Sequence, residues 1–157
     1  MTRLSEPTGL VAEQEAFDAV SRTVHGAIGP GDQRLVLLVS IVAPTSYQRL
    51  RAFNPDGSLR AAGERFNSVR VPLEATIALK TLRAASYREG VGTWFGLELT
   101  VMPDGTARAV YNYDDEPEWD APVDSVVYQA DLNKFPREEQ HRPAWLKQTL
   151  VEAEATS

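Results

Sequence analysis

The sequence predicts an α+β fold in which a mostly antiparallel sheet of about five strands packs with an N-terminal helix, a central helix and C-terminal helices. Three observations lead to this fold class. Short alternating apolar segments are joined by turn residues, other segments have helical apolar spacing, and the elements do not alternate as β-α-β units. With 157 residues, the chain is expected to form one domain over residues 1–157, with residues 1–8 and 153–157 disordered.

The first half of the chain begins with a predicted helix and continues into strands. The pattern indicates a helix over 9–27, strands over 33–42, 47–53 and 58–62, and a linker loop over 63–70. Gly29-Pro30-Gly31 ends the helix. The strand over 33–42 is apolar on both faces, which is usual for a strand in the middle of a sheet.

The second half is predicted to contain three further helices around a hairpin. The central helix begins at Pro72 and runs to about Arg88, with Lys80 and Arg83 off its apolar stripe. A third helix starts near Pro122 or Asp124 and stops at Pro136. A charged connector over 137–142 leads to a last helix that opens at Pro143 and loosens beyond residue 152.

The segment 92–124 gives the clearest structural signal in the sequence. Two alternating runs flank Pro103-Asp104-Gly105, which indicates an antiparallel hairpin with a positive φ at Gly105. Symmetric pairing about the turn sets Leu97 opposite Tyr111 and Leu99 opposite Ala109. The alternation assigns Phe95 to the core face together with Leu97, and Trp94 to the opposite face. Trp94 is then either covered by another element or part of a contact surface.

Composition limits the classes of function. The chain has no cysteine, so it has neither disulfides nor thiolate metal sites, and its N-terminus lacks the apolar region of a signal peptide. No apolar run approaches the ~20 residues that span a bilayer. We therefore expect a cytoplasmic protein without a membrane partner.

The net charge of −6 is unevenly distributed. Residues 49–88 carry eight Lys or Arg and three acids, whereas residues 89–132 carry ten acids and one Arg. A net negative chain is a poor nucleic-acid binder, because such binding depends on neutralising phosphates, so no nucleic-acid partner is expected. The acidic block is either a solvated loop or a surface that faces a basic partner.

Motifs for catalysis and for cofactors are absent from the sequence. It has no phosphate-binding glycine loop and no G-x-S-x-G, and its two histidines, His25 and His141, lie far apart. A carboxylate site for Mg²⁺ or Ca²⁺ among residues 114–120 stays open, although the spacing is not that of an EF-hand. We predict no catalytic residues, no cofactor and no metal.

The most distinctive residues follow the hairpin. Interfaces use aromatic residues as anchors and charges for steering, and Pro117 would stiffen this loop. An alternative is that Tyr113 and Trp119 close the core while Asp120 or Asp124 caps the third helix. The predicted partner-binding residues are Trp94, Asp114, Asp115, Glu116, Glu118, Trp119 and Asp120.

Several short motifs resemble the YezG-like immunity proteins. These are Thr93-Trp94-Phe95 at the start of a strand, the Pro-Asp-Gly turn, and a return strand closing on Tyr-Asn-Tyr-Asp-Asp-Glu-Pro at 111–117. The runs Phe135-Pro136-Arg137 and 141–146 resemble the C-terminal portion of actinobacterial members. The resemblance covers roughly residues 70–150. It implies a cytosolic antitoxin, without catalytic residues, that binds and blocks a polymorphic toxin's catalytic domain, in some relatives an NAD-hydrolysing one.

Two hypotheses of different class follow. In the first, the protein is a toxin-neutralising immunity protein, a monomer or homodimer, whose acidic surface complements a basic cleft. In the second, it is a small enzyme or an anionic-metabolite-binding domain that uses the cationic residues of the 49–80 region. The second predicts a closed pocket lined by several of the residues Arg49, Arg51, Arg65, Arg70 and Lys80.

Overall fold

The computed structural model describes residues 8–156 and confirms the α+β class. The helices are α1 (Leu10–His25), α2 (Leu73–Ala85), α3 (Ser125–Lys134) and α4 (Ala144–Thr156), with a short 3-10 helix at Glu139–His141. The strands are β1 (Arg34–Val42), β2 (Thr45–Phe53), β3 (Leu59–Ala61), β4 (Glu64–Val69), β5 (Gly96–Val101) and β6 (Ala107–Asn112). They form one antiparallel sheet of six strands in the order β3-β4-β2-β1-β5-β6.

The main core lies between two helices and one face of the sheet, here called the inner face. Strand β1 is central, as its apolar pattern predicts, and it turns Leu35 and Leu37 toward α1 and α2. Helix α1 contributes Val20 and Val24 to the same cluster. These residues are fully buried, so removing the apolar surface of this cluster from water is the main stabilising contribution.

The predicted hairpin is confirmed as β5 and β6, with the predicted register. Leu97 pairs with Tyr111 and Leu99 with Ala109. Gly105 has a φ of +90°, as the turn requires. His25 Nε2 lies 2.8 Å from the Pro103 carbonyl oxygen, so the end of α1 holds the turn in place.

The predicted faces of Trp94 and Phe95 are reversed in the structure. The chain bends at Phe95, immediately before β5 begins, and the bend interrupts the two-residue alternation. Trp94 therefore enters the main core and is fully buried. Phe95 instead joins a second cluster, formed with α3, α4 and Val42.

The predicted linker over 63–70 is wrong, because Glu64–Val69 forms strand β4. It pairs with β2 on one side and with the short β3 on the other. Ala62 and Gly63 connect β3 to β4, both with positive φ, as in a type I′ hairpin turn. Asn-Gly is the usual sequence for that turn, and the Ala-Gly found here does not indicate a hairpin from sequence alone.

Three expectations for the later helices also need correction. Arg83 was placed off the apolar stripe of α2 but is only 2% exposed. Helix α4 continues to Thr156 and buries Ala153, so the predicted loosening beyond residue 152 is wrong within the described residues. Arg137, placed in a charged connector, is buried. The predicted disorder of residues 1–7 and 157 falls outside the described part of the chain.

The opposite face of the sheet, here called the outer face, carries its own small apolar cluster. Its centre is formed by Val36, Phe53 and Phe66. The Arg34 guanidinium carbon lies 4.0 Å from the centre of the Phe53 ring, and that of Arg51 lies 4.7 Å from the Phe66 ring. Arginine side chains thus shield the aromatic rings of this face through cation–π contacts and their apolar stems.

Candidate partner-binding site: an acidic loop beside a groove

The acidic loop, residues 114–120, leaves the end of β6 in a conformation set by Asn112. The Asn112 side-chain amide donates to the Asp115 carbonyl oxygen at 2.9 Å. Its Oδ1 accepts a hydrogen bond from the Asp115 N–H at 2.8 Å. These reciprocal bonds satisfy backbone groups that have left the β-ladder, so the first turn of the loop is structurally defined.

Arg137 connects the base of the loop to the rest of the fold. Its Nη2 donates to the carbonyl oxygens of Thr93 at 3.0 Å and Tyr113 at 2.6 Å, and its Nη1 donates to that of His141 at 3.0 Å. Burial lowers the pKa of Arg137, and the nearby carboxylate of Asp114 partly opposes that effect. The three acceptors belong to separate chain segments, so one buried guanidinium fixes their relative positions.

Two tryptophans hold the loop from the side of the C-terminal helices. Trp145 Nε1 donates to the Asp114 carbonyl oxygen at 2.7 Å. Trp119 Nε1 donates to the Tyr128 hydroxyl at 3.1 Å, and its ring packs against the cluster that contains Phe95. The loop is therefore held at its base through its backbone and at its far end through the Trp119 side chain, and Pro117 within it is buried.

The carboxylates of the loop point the other way, into solvent. Asp114 is 82% exposed, with Oδ1 3.7 Å from Arg137 Nη1. The side chains of Asp115, Glu116, Glu118 and Asp120 are exposed and make no hydrogen bond or ion pair within residues 8–156. No group of acids or histidines among the described residues could hold a metal ion. Asp124, not Asp120, caps α3 by accepting from the Val126 N–H at 3.1 Å.

A groove of about 640 Å³ crosses the outer face of the sheet beside this loop. Its floor includes Leu38, Glu98 and Val110, of which Val110 is 64% exposed. Residues 113–118 form one wall, and Tyr47 and Arg49 lie on the opposite side. The Arg49 guanidinium carbon is 5.2 Å from the Tyr47 ring centre, and its buried Nε has no hydrogen-bond partner within the described residues.

The cationic residues of the second hypothesis do not meet in one pocket. Arg49 alone among them lines the groove on the outer face. Arg51 stacks on Phe66, Arg65 donates to the Gly57 carbonyl oxygen at 3.1 Å, and Arg70 is exposed after β4. Lys80 lies in a different cavity, near α3.

The structure divides the predicted partner-binding residues into two groups. Asp114, Asp115, Glu116, Glu118 and Asp120 lie together on one exposed loop, as the sequence suggested. Trp94 is fully buried and cannot contact a partner, so that prediction is wrong. Trp119 is partly buried and anchors the loop from within, which matches the alternative interpretation of that residue.

Arg137, Asn112 and Trp145 were not among the predicted site residues. Nothing in the spacing of Arg137 and Trp145 signals their role, because each contacts a segment that is distant in the sequence. Asn112 offers the only local signal, since an Asn that ends a strand readily bonds to backbone groups a few residues later. The anchoring of the loop is thus a property of the tertiary structure.

A second buried polar centre lies behind the loop, where Asp131 of α3 meets Arg83 of α2. Arg83 Nη2 donates to Asp131 Oδ2 at 2.9 Å, Nη1 donates to Oδ1, and Nε donates to the Trp94 carbonyl oxygen at 2.7 Å. The Ala43 N–H donates to Asp131 Oδ1 at 2.8 Å. This pair joins both helices to the segment before β5 and to the turn after β1, so it fixes the position of α3 against the sheet.

The chain matches no protein-family model and no curated protein. The resemblance to the YezG-like immunity proteins therefore stays a prediction that depends on short motifs. Within residues 8–156, no helix combines the length and the apolar character that crossing a membrane requires.

Proposed function

We propose that this protein is an immunity protein, an antitoxin that binds a cognate secreted toxin domain and neutralises it by covering its active site. One observation carries the proposal. The acidic loop presents four exposed carboxylates that have no partner within residues 8–156, at Asp115, Glu116, Glu118 and Asp120. Backbone hydrogen bonds hold the loop at its base, and the Trp119 side chain holds it at its far end. A surface of this kind complements a basic cleft.

The basic cleft is expected in a particular class of target. Toxins that act on nucleotides or on nucleic acids bind anionic substrates, and positive charge in the active site is the usual means of binding them. A carboxylate-rich loop can occupy such a cleft in place of the anionic substrate. An NAD-hydrolysing toxin is one candidate for the target, in line with the resemblance to actinobacterial immunity proteins.

The anchoring of the loop favours binding in a second way. A loop that is already ordered before binding loses little conformational entropy when the complex forms. The hydrogen bonds from Asn112, Arg137 and Trp145 provide that order. The proposal requires no catalysis by this chain. The second hypothesis draws no support from the arginines of the 49–80 region, because they do not converge.

Reversing the charge of the loop tests the proposal. The variant Asp115→Lys, Glu116→Lys, Glu118→Lys should be mixed with the catalytic domain of the toxin encoded beside the gene. Association should slow by about tenfold or more at low salt, and the difference should shrink at high salt, because long-range steering is screened. Biolayer interferometry measures the association rate, and a toxin activity assay measures the neutralisation.

A matched control separates a local effect from net charge. The variant Glu15→Lys, Glu74→Lys, Glu89→Lys changes the net charge by the same amount at exposed sites away from the loop. It should keep most of the association rate of the parent protein. Equal rates for parent and loop variant would show that the loop does not contact the toxin. A neighbouring toxin that fails to bind the parent protein would overturn the proposal itself.

A further inference from the structure

A cavity of about 400 Å³ lies between the turn after β1, helix α2 and helix α3. We call it the lysine groove. Its wall is mainly apolar and includes Ile41, Pro44 and Phe135. Its volume falls within the ~300–1,000 Å³ range of small-molecule sites. It is separate from the acidic loop and from the groove on the outer face, and it plays no part in the proposed antitoxin function.

The charge of the lysine groove is opposite to that of the chain. Lys80 of α2 and Lys134 of α3 both line it, although the whole chain has only three lysines. Both are exposed, and neither forms an ion pair within residues 8–156. Arg83 also lines the groove, but Asp131 neutralises it. No acidic side chain lines the groove among the described residues, so two uncompensated positive charges remain there.

The polar groups of the groove also favour an anion. Ser46 lines the groove, and its Oγ accepts a hydrogen bond from Gln48 Nε2 at 2.8 Å, which leaves the hydroxyl proton free to donate. Lys134 Nζ lies 5.5 Å from the centre of the Phe135 ring. The ammonium group is therefore next to the apolar wall, where one ligand can touch both.

We propose that the lysine groove binds a small organic anion, one with an apolar body and a carboxylate, sulfonate or phosphate group. The apolar body packs on Ile41, Pro44 and Phe135, and the anionic group lies between Lys80 and Lys134. The two lysines come from helices that are far apart in the sequence, so the tertiary structure creates the charge pair. The two uncompensated lysine charges in the groove select an anion over a cation, although the net charge of the whole chain is −6.

The dye 8-anilinonaphthalene-1-sulfonate is a suitable probe, because it combines an aromatic body with a sulfonate. Its fluorescence should rise on binding at a single site of the folded protein. The variant Lys80→Met, Lys134→Met should bind it roughly fivefold more weakly, as expected for two partly exposed charge contacts. The variant Lys147→Met removes the third lysine, in α4, and should bind it like the parent protein. Thermal unfolding by circular dichroism confirms that each variant folds.

A neutral probe and a map of the site make the test specific. The uncharged analogue N-phenyl-1-naphthylamine should lose less than twofold in affinity in the double variant. In a 1H–15N spectrum of the parent protein, the sulfonate probe should shift the backbone amides of Ala43, Lys80 and Ala130. Unchanged binding of the sulfonate probe by the double variant, or shifts centred elsewhere, would overturn the proposal.

Competition distinguishes the possible occupants. Octanoate, which has an apolar chain and one carboxylate, should displace the probe, and poly-L-glutamate at the same carboxylate concentration should not. Displacement by poly-L-glutamate alone would show that the groove takes an acidic protein segment, against the proposal. Loss of probe binding as the protein concentration rises would show that a second copy of the chain fills the groove, which also contradicts it.

Discussion

Arg137 is the residue whose replacement most directly tests how the acidic loop is held. Arg137→Met removes the guanidinium group but keeps an apolar stem beside Phe95, whose ring centre lies 4.6 Å from the guanidinium carbon. The carbonyl oxygens of Thr93, Tyr113 and His141 each lose a charged donor. At about 1.5 kcal/mol or more for each bond, the gross loss is about 5 kcal/mol.

An opposing contribution reduces that loss. The pKa of Arg137 is lowered chiefly by burial, which means that the folded protein holds this charge at a desolvation cost that methionine does not have. We expect a net decrease of about 2–3 kcal/mol in the free energy of unfolding. Urea unfolding followed by tryptophan fluorescence measures the change. Arg70→Met replaces an exposed arginine and should stay within about 0.5 kcal/mol of the parent protein.

Amide hydrogen exchange adds a local measurement to the global one. The Asp115 N–H, bonded to Asn112 Oδ1, should exchange faster in Arg137→Met, because the base of the loop is no longer fixed. The surface far from the loop should exchange as in the parent protein. A variant that loses less than about 1 kcal/mol of stability and keeps slow exchange over 113–118 would refute the anchoring role of Arg137.

Two further predictions concern a glycine and a tyrosine near the same region. Gly92 has a φ of +110°, and a Cβ there would clash with Arg137 Nε, so Gly92→Ala should cost at least as much stability as Arg137→Met in urea unfolding. Gly63→Ala is its control, because Gly63 has a φ of +81° with open space around it, and it should cost only about 1 kcal/mol; equal losses would show that Arg137 is not displaced. Burial, with a smaller contribution from the charge of Glu13, raises the pKa of Tyr111 to about 12 from its ordinary value of 10.0. The folded state therefore retains the phenol proton longer than the unfolded state, and the stability from Tyr111 is complete below pH 10.0 and lost as the pH rises toward 12. The free energies of unfolding of the parent protein and of Tyr111→Phe should diverge as the pH rises from 10.0 toward 12. Curves that stay parallel would contradict the raised pKa of Tyr111.

The hairpin shows how far local patterning reaches in this protein. Two alternating runs and a Pro-Asp-Gly turn were enough to predict the register of β5 and β6, because side chains alternate faces and the turn sets the pairing. The same alternation failed one residue before β5. The bend at Phe95 exchanges the faces of Trp94 and Phe95, and no local signal marks it.

The buried arginines show a different limit. Periodicity places charged residues on solvent faces, so Arg83 and Arg137 were expected outside the core. Each is buried because acceptors from other segments converge on it: Asp131 and the Trp94 carbonyl oxygen for Arg83, and the Thr93 and Tyr113 carbonyl oxygens for Arg137, which also donates to the nearby His141 carbonyl oxygen. A buried charge needs such partners, and a one-dimensional pattern does not show them.

The sequence by itself determined the α+β class, the central position of β1, the hairpin and the exposed acids of the 114–120 loop. These depend on local chemistry, namely side-chain alternation, turn residues and the hydration of charged groups. Only the tertiary structure decided the burial of Trp94, the pairing of β4, the anchors of the acidic loop and the placement of Lys80 and Lys134 around one cavity. Those features depend on contacts between segments that are distant in the chain, and the packing of the whole fold determines which of them form.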